Sequence, residues 1–368
     1  MSSVNAWTAA LALVWAALTA GCVSHYPDLE SVGAGTKAPP GVELQDVPFF
    51  PQDEFQCGPA ALATVLVDSG VGVTPDELTD KVYLPEREGS LQLELIAASR
   101  RYERLPYVLD GTLAAILAEL AAGRPVLVLQ NLGVASFPIW HYAVVVGYDA
   151  PRSEIILRSG EEQRATMDTQ WFMRSWSLAG NWALVTLAAG ELPVEPDETR
   201  YVHAVVALES VVAPAVAAPF YATAVQRWPD DAMALLGLGN AYHAMGDDAA
   251  AEQTYQRLLA VHPDNAVARN NLAHVLVERG CKNAALQQLQ LGLDKLDADD
   301  PLHQALLATR EQIEERTGGV RLTDPIDCPS LESPQEKEKK CIPYFRAACP
   351  SRCWDYWALA PVLPMTTP

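Results

Sequence analysis

Two short stretches hold residues whose types and spacing suit nucleophilic chemistry. The first runs Gln52-Asp53-Glu54-Phe55-Gln56-Cys57-Gly58-Pro59-Ala60-Ala61, and the second Trp140-His141-Tyr142-Ala143-Val144-Val145-Val146-Gly147-Tyr148-Asp149. Between residues 42 and 190 there is one cysteine, Cys57, and one histidine, His141, so a thiol–imidazole pair in this region is these two. A free thiol has a pKa near about 8.5 and is only a few per cent thiolate at neutral pH. An adjacent base or the positive end of a helix raises that share.

The surrounding residues supply both positions. Pro59 is favoured in a first helical turn, where its missing N–H costs nothing, and the apolar run 60–67 continues that helix until Gly70 ends it. Cys57 therefore sits at a helix start. Upstream, Val47-Pro48-Phe49-Phe50-Pro51 is extended, because residues before proline avoid helical angles. His141 heads a β-branched run that reads as a central strand, from whose end a side chain reaches a cleft. Helical spacing recurs over 91–103 and 113–122, the latter closed by Gly123, while 126–129 and 183–187 read as buried strands. Trp171, Trp176 and Trp182 are assigned to the core.

With Gln52, the Cys57-Gly58-Pro59-Ala60-Ala61 run and the strand from His141 to Asp149, the chain resembles the bacteriocin-processing, double-glycine leader peptidases and their transporter-free relatives. The resemblance covers about residues 44–190. It implies an α+β papain-like cysteine peptidase domain without metal or cofactor, in which Cys57 attacks the scissile carbonyl and His141 shuttles the proton. Gln52 resembles the oxyanion-hole glutamine, acting with the Cys57 backbone N–H; such a donor is typically worth about 2.7–4 kcal/mol. Gln56 is its rival. Family members place an Asp on the strand after the His, ahead of a proline. Here that strand is Glu154-Ile155-Ile156-Leu157-Arg158-Ser159-Gly160, and Ser159 holds the place. Serine accepts an imidazole N–H but supplies no charge; Asp149, Asp168 and Asn181 are the substitutes.

Downstream of a linker at 191–200, the sequence repeats at 34 residues. Leu235, Gly239, Tyr242, Gly246, Ala251, Tyr255 and Pro263 match the spacing of a tetratricopeptide repeat, followed one period on by Arg269, Ala273, Leu276, Gly280, Ala285 and Leu289. The repeat region spans 201–318, its best repeats being 232–265 and 266–299. Ala217, Tyr221, Ala224 and Pro229 fit the second helix of a degraded earlier repeat, whose first half is doubtful because of Pro214 and Pro219. Residues 302–316 close the array. Such arrays bind peptides or proteins on a concave face, or act as a scaffold.

The apolar stretch 6–20 is too short to span a bilayer comfortably and runs into Leu18-Thr19-Ala20-Gly21-Cys22. It looks like a bacterial lipoprotein signal (1–21), although no Lys or Arg precedes it. Cys22 would then be lipidated and, with no Asp following, held at the outer rather than the inner membrane, ahead of a flexible spacer at 22–42 and a peptidase domain at 43–190. Cys281 reads as an inert buried thiol. Cys328, Cys341, Cys349 and Cys353 in the Pro-rich tail 319–368 are open to disulfides, to no fixed structure, or to metal.

A net charge of −20 excludes the clustered basic surface that nucleic acid requires. Signal and resemblance together imply an exported, lipid-anchored cysteine peptidase, facing the periplasm and acting on a peptide or protein, with repeats that recruit substrate or partner. Two other readings remain: a non-catalytic peptide-binding lipoprotein scaffold with a degenerate peptidase domain, and a Cys-His acyltransferase or isopeptidase.

Overall fold

The computed structural model describes residues 26, 28–36, 39–51, 56–316 and 328. The signal 1–21, Cys22, Gln52, Cys341, Cys349 and Cys353 lie outside the described residues. The chain divides into two compact units, 1–262 and 263–368. No helix among the described residues is long and apolar enough to cross a membrane.

In the first unit, helix α1 (Leu29–Thr36) and strand β1 (Gly41–Glu43) precede α2 (Cys57–Asp68). Then come α3 (Pro75–Val82), the two-residue strands β2 (Tyr83–Leu84) and β3 (Gly89–Ser90), and α4 (Gln92–Arg101). The rest of the sheet follows as β4 (Leu105–Val108), α5 (Leu113–Ala121), β5 (Val126–Asn131), β6 (Trp140–Asp149), β7 (Glu154–Ser159), β8 (Glu162–Asp168), α6 (Thr169–Ser177) and β9 (Ala183–Leu187).

Seven strands form one antiparallel sheet in the order β4-β9-β5-β6-β7-β8, with β1 added beside β6. The length of β6 makes this possible: one edge bonds β5 along residues 140–145 and β1 along 147–149, while the other bonds β7. Helix α2 lies across this centre, its Ala61, Leu62, Val65 and Leu66 buried with Leu127, Leu129, Tyr142, Val144 and Val146. Removing one leucine-sized side chain from water stabilises by about 1.5–3 kcal/mol, so the face of α2 fixes its own orientation. Thr74 and Glu77 make a reciprocal capping box on α3, and Thr112 caps α5, whose end is turned by Gly123 at φ 85°.

Four sequence expectations change in the first unit. The 22–42 stretch is not simply a flexible spacer, since it contains α1 and β1. Asp28 accepts the Ser31 N–H at 2.7 Å to start the helix, Leu29 is buried, and the Tyr26 hydroxyl meets Ser177 Oγ at 2.8 Å. Trp176 is fully buried and Trp182 packs edge-on against Tyr142, but Trp171 is 62% exposed, with the Arg174 guanidinium over its ring. The 191–200 linker is tied down: the Val194 N–H donates to Glu119 at 2.7 Å, the Asp197 N–H to the Tyr107 hydroxyl at 3.1 Å, and Arg200 to Asp110 at 2.6 Å. Lastly, the degraded first repeat is a complete helix pair, α7 (Glu198–Glu209) and α8 (Pro214–Arg227). Pro214 fits the first helical position, and Pro219 is carried inside the second helix instead of breaking the first.

Helices α9 (Ala232–Ala244) and α10 (Asp248–Val261) complete the first unit, with Ala251 and Tyr255 buried. The second unit holds α11 (Ala266–Glu278), α12 (Lys282–Leu293) and α13 (Pro301–Arg316), packed around Ala273, Leu276, Ala285 and Leu289. Cys281, between α11 and α12, is not a free thiol. It is disulfide-bonded to Cys328, 47 residues on, and is 1% exposed. Sequence spacing grouped Cys328 with its near neighbours in the tail; the chain instead folds it back onto the repeat. Closing a loop of that length typically contributes about 2–4 kcal/mol. Replacing both cysteines by serine is expected to lower the urea-unfolding free energy of the second unit by that amount, with no loss in the first. Equal stability of the serine variant and the oxidised parent would refute the pairing.

Candidate active site

The thiol of Cys57 owes its position to the first turn of α2. Gln56 precedes the helix at φ −98° and ψ 18° with no side-chain cap, so no capping side chain takes up the first N–H groups of the helix. Against this turn rests the start of β6. The main-chain N–H groups of Tyr142, Gly58 and Cys57 itself are placed so that each pulls the Cys57 thiol pKa down. Gly58 admits a second strand to the same turn: a Cβ there would stand 2.3 Å from Ser90 Oγ and 2.6 Å from Ser90 Cβ. Ser90 belongs to β3, whose main-chain carbonyl accepts the Tyr142 hydroxyl at 3.3 Å.

Cys57 and His141 line one cleft of about 1060 Å³, together with Ser90, Leu129, Trp140 and Tyr142. His141 pairs with Gln130 in the sheet register, and its Nε2 lies 2.8 Å from Ser159 Oγ. Ser159 is the last residue of β7, the strand paired with β6, and this is how it reaches the ring across the sheet. Two of the substitutes are engaged elsewhere: Asp168 caps α6 by accepting the Gln170 and Trp171 N–H groups, and Asp149 pairs with Arg152. Asn181 stands in a turn at φ 54°, its Oδ1 buried with no hydrogen-bond partner among the described residues. Gln56 is half-buried immediately before the helix, its carbonyl accepting the Ala60 N–H at 3.2 Å.

Electrostatics differ from the sequence expectation. Burial pushes the Cys57 thiol above its ordinary value, outweighing the pull of the three N–H groups, and burial pushes the His141 imidazole below its own. Both shifts favour an uncharged thiol and imidazole at rest. The helix terminus is present as expected, but desolvation is the larger effect.

Two contributors went unseen in the sequence. The Tyr142 N–H is a backbone group and carries no side-chain signature. Arg158 had one, a lone cation inside the apolar Ile155-Ile156-Leu157 run. It is 4% exposed, and its guanidinium donates to the carbonyls of Leu44, Gln45, Val47 and Gln163. It thereby fastens the segment leading into α2 onto the strand that ends in Ser159.

No curated protein matches this chain. Residues 44–184 match the Peptidase_C39 like family and residues 213–264 match a tetratricopeptide repeat. Among solved structures, a C39-like peptidase from Bacillus anthracis is 18% identical, with 40% of this chain and 97% of that chain aligned at a TM-score of 0.35. The type III secretion translocator chaperone SycD of Yersinia enterocolitica aligns over 33% of this chain and 85% of its own at 18% identity and TM-score 0.31. The Sgt2 tetratricopeptide domain from Aspergillus fumigatus aligns over 39% and 97% at 18% identity and TM-score 0.30. The assignment rests on the two family matches rather than on these alignments: this chain joins a C39-peptidase-like domain to a tetratricopeptide-repeat region.

Proposed function

We propose that this chain is an exported, lipid-anchored cysteine peptidase that cleaves a peptide or protein, its repeats recruiting substrate or partner. The observation that carries the reading is the shared cleft of Cys57 and His141, with Ser159 at 2.8 Å from the imidazole. From a neutral resting pair, Cys57 gives its proton to His141 as the sulfur attacks the scissile carbonyl, and His141 returns it to the leaving amine. With Nε2 facing Ser159, Nδ1 is the nitrogen for the Cys57 proton, which requires Nε2–H to donate to Ser159 Oγ. A hydroxyl both donates and accepts, so it holds the ring without forcing that tautomer as a carboxylate would. The developing oxyanion lies beside the Cys57 N–H, and Gln52 is the proposed second donor.

Export and anchoring at Cys22 rest on the lipoprotein-like signal. The Cys281–Cys328 disulfide supports an oxidising compartment, since such bonds are rare in reducing ones. The serine at the orienting position, with burial favouring both neutral forms, supports a second reading in which the cleft binds peptides without cutting them.

A thiol-directed peptidyl electrophile is expected to modify Cys57 in the parent protein, not in Cys57→Ala, and far more slowly in His141→Ala. Modification that survives Cys57→Ala, or none in the parent, sinks the enzymatic reading. Loss of one hydrogen bond predicts that Ser159→Ala slows modification about two- to tenfold, whereas Ser159→Asp, which stabilises imidazolium, speeds it; identical rates in both would remove Ser159 from the site. Finally, a raised thiol pKa means less thiolate at neutral pH. Iodoacetamide alkylation of Cys57, read by mass spectrometry of its peptide, should therefore climb with pH to a midpoint above about 8.5. A plateau already reached in the acid range would instead reveal a thiolate–imidazolium pair.

A further inference from the structure

The connection between β5 and β6, residues 132–139, exposes apolar side chains that no described residue of the first unit covers. Phe137 is 78% exposed, Ile139 61% and Trp140 54%, with Leu132 and Val134 near one half. This is not a slack loop. Asn131, 2% exposed, accepts the Gly133 and Ile139 N–H groups on its Oδ1 at 3.0 and 2.9 Å, and Val134 and Phe137 bridge across the turn. Gly133 completes the clamp, since a Cβ there would lie 2.3 Å from the Phe137 carbonyl oxygen. A buried asparagine thus holds large apolar groups out in water, an arrangement that opposes folding and is compatible with a binding role.

The patch continues into the cleft. Pro138, Ile139 and Trp140 form its wall beside His141, and Trp140 shares the sheet face of Tyr142, which pairs with Leu129. Resting on the reading of Cys57 as a peptidase nucleophile, we propose that this hairpin is a specificity wall that takes bulky apolar side chains of an extended polypeptide flanking the scissile bond. Continuity with the cleft favours polypeptide as the occupant. Charge disfavours an anionic lipid surface, because the chain carries −20 overall and Glu88 and Glu161 stand at the same cleft.

The test uses the full chain and peptidyl acyloxymethyl ketones identical except for Leu, Ser or Lys beside the warhead residue, with Cys57 modification rates read by mass spectrometry. Burying a leucine side chain predicts that the Leu probe reacts roughly ten- to hundredfold faster than the Lys probe. Phe137→Ser with Ile139→Ser should bring the Leu rate down to the Lys rate at an unchanged melting temperature, while Ile139→Leu should keep the preference. Equal Leu and Lys rates in the parent, or a preference that survives the double variant, overturn the inference alone. No modification by any probe overturns the peptidase reading, and this inference with it. In a parallel arm, Cys22→Ser protein is sedimented with phosphatidylcholine–phosphatidylglycerol vesicles. Binding that the double variant abolishes, with probe preference intact, would assign the hairpin to lipid and overturn the proposal.

Discussion

The contact between the first turn of α2 and the first residues of β6 is the constraint on which the rest of the first unit depends. It brings a helix N-terminus against a strand end, and Gly58 lets Ser90 of β3 close on the same turn. The same contact delivers the Tyr142 N–H to the Cys57 sulfur and sets His141, one residue earlier, at the cleft. Apolar burial holds most of it: the α2 residues from Gly58 to Leu66 and the sheet positions beneath them. Arg158 adds a polar fastening, four main-chain carbonyls on a single buried guanidinium.

Burial that secures the site also sets its charge state. The packing that excludes water around Cys57 and His141 penalises thiolate and imidazolium alike. Three N–H groups offset part of that penalty at the sulfur, and at the imidazole a neutral hydroxyl does less than a carboxylate would. Both penalties hold the thiol and the imidazole in their uncharged forms at rest.

Downstream, the segment 191–200 is bound by Glu119, Tyr107 and Asp110, so the first repeat helices belong to the same unit as the sheet. Within the second unit the covalent Cys281–Cys328 link adds to the burial among three helices. Arrays this short are near the minimum that buries a continuous core, which gives a closing helix and a disulfide a clear physical purpose.

Local chemistry made much of this legible in the sequence. The Pro59 start of α2, the β-branched run of β6, the 34-residue repeat and the pairing of one cysteine with one histidine are all written in residue type and spacing. So was the candidacy of Ser159, though not its advantage over Asp149, Asp168 and Asn181. Tertiary placement separated these: Ser159 Oγ lies 2.8 Å from His141 Nε2, while Asp168 is spent on a helix start and Asp149 on Arg152. The Cys281–Cys328 pairing, the tied-down linker, the Arg158 fastening and the direction of the thiol shift were decided only by tertiary structure. Each depends on groups brought together from distant positions, and on how much water that assembly removes, neither of which a local pattern of residues records.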